Sequence, residues 1–170
     1  AAVREILFAQ KLNPSVGHDH LVAWFGHMGL EEAASREMQK ATEIDPTNRT
    51  TAELTVLQYY LSGRYDEYLE TLKKVNPNAK PGAWYFLGKG RLDDAERVIG
   101  SYVAEGSDAR DVPGYRGLLY ALRGETSAAE AQIPAALAAY PPNDQSRHHA
   151  LYTVACIYAL IGNSEESVKW

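Results

Sequence analysis

Leu21 to Pro46 reads LVAWFGHMGLEEAASREMQKATEIDP, and Gly29 divides it in two. Val22 and Phe25 stand seven and four residues before the glycine. That spacing puts them on one face of a helix. Ala34 and Ala41 stand five and twelve residues after it, on one face of a second helix. Glu31 and Glu32 open the second helix, where acidic side chains offset the helix dipole. Asp45-Pro46 closes it. The stretch therefore reads as two antiparallel helices joined at a tight turn. Glycine takes the left-handed backbone there without the cost a side chain would carry.

The same pattern recurs along the chain. Gly29, Gly63, Gly90, Gly124 and Gly162 are separated by 34, 27, 34 and 38 residues. Four residues before each lies an aromatic: Phe25, Tyr59, Phe86, Tyr120 and Tyr158. Seven before each lies a small or β-branched residue: Val22, Val56, Ala83, Gly117 and Ala155. Five after come Ala34, Tyr68, Ala95, Ala129 and Ser167; twelve after come Ala41, Val75, Tyr102 and Ala136. Small residues let two helices approach closely, and the aromatic fills the space beside them.

An aromatic, a turn glycine, two spaced alanines and a terminal proline in about 34 residues resemble the tetratricopeptide repeat, TPR. Leu21–Pro46 is the cleanest copy, and GRLDDA (Gly90–Ala95) and GNSEES (Gly162–Ser167) match its turn. The resemblance implies an all-α fold: a right-handed superhelical solenoid of stacked antiparallel hairpins, about five units, incomplete at both ends. Residues 1–14 read as the second helix of a preceding repeat. Units follow at 15–46, 47–77, 78–108, 109–142 and 143–170, forming a single array. Because the chain starts and finishes mid-repeat, it is expected to be an excerpt of a longer protein, and its exposed half-repeats would allow end-to-end self-association.

The irregularities carry their own expectations. Pro77 and Pro81 confine the first helix of the third unit to about residues 81–89. Pro134 is expected to bend the second helix of the fourth unit. Tyr68 replaces a small residue and should splay its helix pair or meet a smaller partner opposite. The extra length before Gly162 lies in YPPNDQS, as a longer connection or an extended final hairpin.

Composition removes several kinds of function. Acidic residues outnumber basic ones 22 to 17, for a net charge of −5, so no nucleic-acid partner is expected. Cys156 is the one cysteine, which excludes an internal disulfide and a multi-cysteine metal site. No apolar run approaches the roughly 18 residues of a membrane span, and no membrane partner is expected. The chain reads as soluble, with the cytoplasm favoured over the periplasm. His20 and His27 share a helix face, but no carboxylate or HExxH spacing accompanies them, so neither metal nor cofactor is expected. Cys156 lies in the apolar run VACIYAL and reads as a small buried hydrophobe. Asp93/Asp94 and Glu165/Glu166 sit in first turns, like Glu31/Glu32. No catalytic residue is assigned, and the chain is read as no enzyme.

Stacked hairpins present a concave face lined by their first helices. Counting 100° per residue away from the packing aromatic gives the groove candidates. They are His20, Ala23 and His27; Glu53, Leu57 and Tyr60; Trp84 and Leu87; Tyr115 and Leu118; and Tyr152 and Cys156. Asp19, Asp111 and His149 fall on the same face. Tyr60, Trp84, Tyr115 and Tyr152 are the expected anchors, although Trp84 and Tyr115 also suit inter-repeat core. This surface, aromatic and sparsely charged, suits a peptide or helix. The Lys, Arg and Asn set with which some TPR proteins grip chaperone C-termini is missing, and Lys80 precedes Pro81.

The resulting expectation is a non-catalytic protein–protein interaction module of a scaffolding or regulatory protein. A second reading makes it the regulatory or sensor arm of a bacterial signalling enzyme or transcription factor. A third, an α/α-toroid enzyme, needs a carboxylate pair facing one cavity, and no such placement is visible.

Overall fold

The computed structural model describes residues 2–106, 110–144 and 146–170. The described residues form eleven helices and no strand. They fall into two compact units, Ala1–Lys80 and Pro81–Trp170. The first unit holds α1 (Ala2–Leu12), α2 (His18–His27), α3 (Glu31–Ile44), α4 (Arg49–Leu61) and α5 (Tyr65–Val75). The second holds α6 (Ala83–Gly88), α7 (Leu92–Glu105), α8 (Val112–Leu122), α9 (Thr126–Ala138), α10 (Arg147–Leu160) and α11 (Ser164–Lys169). The expected boundary between residues 108 and 109 lies outside the described residues.

All five turn glycines adopt positive φ, from 67° at Gly90 to 82° at Gly162. A Cβ at any of them would touch nothing within 4 Å, so their requirement is purely one of backbone. Each turn makes the same two bonds. The glycine N–H donates to the carbonyl three residues back, as from Gly29 to Gly26 at 3.0 Å. The next N–H donates to the carbonyl of the column aromatic: Leu30 to Phe25, Arg64 to Tyr59, Arg91 to Phe86, Glu125 to Tyr120 and Asn163 to Tyr158, all at 2.8–2.9 Å. This paired closure satisfies carbonyls that a helix end otherwise leaves bare. The five aromatics share one environment, each half-buried. Arg64 and Arg91 place guanidinium groups 4.5 and 5.1 Å from the ring centroids of Tyr59 and Phe86.

The small-residue columns supply the hairpin cores. Ala34, Ala95 and Ala129 are fully buried at the crossing of each helix pair. Tyr68 occupies the same column in α5, where it is half-buried and tilted against Tyr60 at 5.9 Å between centroids. No residue of α5 is fully buried. In the second unit one core joins the five helices α6 to α10 through Ala83, Leu87, Ile99, Leu119, Ile133 and Ile157.

Helices from successive hairpins meet within each unit: α2 packs on α4, and α8 on both α6 and α10. Glycines set the closest approaches. A Cβ on Gly114 would lie 2.9 Å from Thr153 Cγ2, and one on Gly117 would lie 2.5 Å from Ile157 Cδ1.

One expectation is corrected. The first helix of the third hairpin is shorter than the 81–89 span, because Gly82 stays extended (φ −77°, ψ 176°) and the helix starts at Ala83. The hydroxyl of Tyr102 accepts from the Ala83 N–H at 3.0 Å and so caps this start. Pro134 does not interrupt α9, which runs through it to Ala138. Pro134 and Glu130 are both exposed, so the carbonyl that loses its partner faces water.

The extra length before the fifth hairpin is a connection between α9 and α10, pinned by side chains. Arg110 stacks 4.1 Å from the Tyr140 ring centroid, donates to the Ala139 carbonyl, and pairs with Asp144. Arg147 donates to the Tyr140 carbonyl, and the Tyr140 hydroxyl to Asp111.

Two glycine substitutions separate close packing from chain flexibility. Gly117→Ala forces Ile157 aside and is expected to destabilise the second unit by about 1–3 kcal/mol. Gly100→Ala, inside α7 with nothing within 4 Å of its new Cβ, is expected to stabilise by about 0.5–1 kcal/mol. Urea denaturation midpoints moving in opposite directions would meet this expectation.

Candidate functional site

The second unit brings three of the four anchor aromatics together. Trp84 on α6, Tyr115 on α8 and Tyr152 on α10 come from three successive first helices. The Trp84 and Tyr115 rings meet edge to face, 6.0 Å apart at 85°. Trp84 and Tyr152 lie 6.3 Å apart, tilted by 32°. Tyr102 on α7 extends the group, 6.1 Å from Tyr115. Edge-to-face and offset contacts match negative ring faces to positive edges, and each is worth about 0.5–1.5 kcal/mol beyond burial.

The group grades from core to surface. Trp84, Tyr102 and Tyr115 are half-buried and packed on the hydrophobic core. Tyr152 is 61% exposed. Leu87 and Leu118, expected in the groove, are instead core residues at 4% and 2% exposure. The stacking of α6, α8 and α10 closes over both positions, so they support the rings and present no surface. Cys156, one turn beyond Tyr152, is half-buried. Burial pushes its thiol up, and a hydrogen bond with Tyr152 only partly offsets this. A raised thiol holds less thiolate, the form a nucleophile needs.

Two further residues expected on this face have other work. The Asp111 carboxylate accepts from the Tyr140 hydroxyl, which turns it toward the α9–α10 connection. His149 is exposed and meets the neighbouring His148 edge to face at 4.2 Å.

In the first unit the polar candidates satisfy one another locally. His20 Nδ1 lies 2.9 Å from Asp19 Oδ1. Burial raises the Asp19 carboxyl, but the hydrogen bonds and charge of His20 outweigh it and hold the group below its usual range. His27 Nδ1 donates to the Ala23 carbonyl one turn back, at 2.8 Å. Glu53 accepts from Arg49 at 2.8 Å. Ala23, Leu57 and Tyr60 are half-buried, and Tyr60 is turned to Tyr68. Tyr102 was missed as a surface residue because its column position, twelve after the glycine, marks the packing face of a second helix.

Compared with protein-family models, curated proteins and solved structures, the chain matches none. The site is therefore read from its own chemistry: an aromatic surface of graded exposure.

The Tyr140 phenol beside Asp111 gives a distinct titration. Burial, then the hydrogen bond to Asp111 and its charge, push it up to about 12. The stabilisation from that bond is complete below the ordinary tyrosine range, about pH 10, and is lost as pH rises toward the folded value. Tyr140 is expected to ionise late in an ultraviolet absorbance titration. Tyr140→Phe should remove that late step; a late step surviving in the variant would refute the assignment.

Proposed function

We propose that the chain is a non-catalytic protein–protein interaction module of the TPR type, gripping an extended peptide or a helix across its first helices. The observation that carries this reading is the joint surface of Trp84, Tyr115 and Tyr152. Large rings on three separate helices, rigid and partly dry, are the kind of groups that dominate interface energetics. The repeated glycine closures and the packing of α8 against α6 and α10 support a superhelical stacking of hairpins within each unit. In that arrangement first helices line the inner face.

Tyr152→Ala is the discriminating variant, because so exposed a side chain contributes little to folding. Peptides selected from an array by the intact chain are expected to lose about 2 kcal/mol of affinity to it, roughly thirtyfold, as at an interface hot spot. Selected peptides that bind Tyr152→Ala as tightly as the parent would remove this surface from the binding face.

A further inference from the structure

A second organised cluster lies in the first unit. His18 opens α2 and is 6% exposed. Its Nε2 donates to the Pro14 carbonyl at 2.7 Å, fixing the connection that leads from α1. Its Nδ1 has two neighbours: Glu37 Oε2 on α3 at 2.6 Å and the Gln10 side-chain amide nitrogen on α1 at 3.1 Å. A carboxylate only accepts, and an amide NH₂ only donates. The same ring nitrogen must carry a proton to bond Glu37 and a lone pair to bond Gln10. It can serve one of them at a time.

We propose that His18 is a proton-operated switch between two helices: with Nδ1 protonated it binds α3 through Glu37, and with Nδ1 bare it accepts from Gln10 of α1. Nε2 keeps its proton and its bond to Pro14 in both states, so the ring exchanges partners without leaving its seat. Neither partner is stranded by the exchange. The second oxygen of Glu37 accepts from Lys40 Nζ at 2.8 Å, and the Gln10 amide donates to the Val16 carbonyl at 3.2 Å. When Nδ1 is bare, the Glu37 carboxylate faces a lone pair and is pushed off. Deprotonation thus loosens α2 from α3 while tightening α1 onto α2.

The surroundings favour this exchange. An open cleft of about 420 Å³, lined in part by Gln10, Pro14, Lys40 and Glu43, reaches His18 and gives its proton a path to water. Burial raises the Glu37 carboxyl, but the hydrogen bonds and charges of Lys40 and His18 outweigh it and hold the group below the usual range. Glu37 therefore stays charged above the usual carboxylate range. From α3, Lys40 and Glu43 line the cleft and Glu37 faces the ring, and from α1 the group that faces the ring is the uncharged Gln10. On α2 itself Asp19 and His20 pair with each other. From α4 the uncharged Gln58 approaches α2 at Gly26, two turns further on.

Nitrogen-detected magnetic resonance of the full chain tests the switch, with the His18 signals identified by their loss in His18→Asn. As pH is raised, Nδ1 is expected to pass from proton-bearing to bare while Nε2 keeps its proton. The Gln10 side-chain amide should shift along the same curve. Gln10→Leu removes the partner of the neutral ring and should displace the curve to higher pH. The proposal is overturned if Nε2 is the nitrogen that releases its proton, if Nδ1 does not change, or if the Gln10 amide stays fixed while Nδ1 titrates.

Discussion

The fold depends on a backbone constraint: one residue between antiparallel helices must be left-handed. For an L-residue with a side chain this costs about 1–2 kcal/mol. Meeting it with glycine returns two carbonyl bonds per turn, and one of them always ends on the aromatic of the column. The aromatic is therefore tied twice, by its backbone to the turn and by its ring to the hairpin. Where the chain reverses and where the ring must sit are one requirement, which is why their spacing is invariant while the distance between hairpins varies.

The third hairpin shows what the constraint leaves open. Its glycine turn is as regular as the others, yet α6 spans only six residues. So short a helix has no stability of its own. It is held instead by Tyr102 at its start, by the turn at Gly90, and by Ala83, Tyr85 and Leu87 in the interior. Trp84, the centre of the aromatic surface, thus stands on the helix with the least intrinsic preference for its shape. Packing, not propensity, fixes the ring, and the edge-to-face contact with Tyr115 is part of that packing.

Helical class, turn positions and hairpin partners were legible because each rests on residues within about twelve positions of a glycine. The 100° count set Trp84, Tyr115 and Tyr152 on one side of their helices, and the structure brings those three rings together. The count failed at Leu87 and Leu118, because it follows a single helix and does not see the neighbours that close over it. The polar clusters were hidden for a different reason. His18 and Glu37 are 19 residues apart and Tyr140 and Asp111 are 29 apart, with no spacing rule joining them. Each pair is brought together inside one hairpin, by the packing of α2 on α3 and of α8 on α9.

Those two clusters stabilise a carboxylate in opposite ways. Glu37 meets two groups that can carry positive charge, so its partners hold it ionised; the stabilisation is present above the usual carboxylate range and is lost as pH falls through the lowered folded value. Asp111 meets a phenol, which offers a hydrogen bond and no charge. The electrostatic strain is then borne by Tyr140, whose ionisation would place a second negative charge beside the first, and the stabilisation is lost in alkali. The Lys40–Glu37 pair of the first unit is thus sensitive to acid, and the Tyr140–Asp111 pair of the second to alkali. Between these limits Glu37 keeps its bond to Lys40 whichever partner His18 takes, and His18 has two partners of opposite hydrogen-bonding sense.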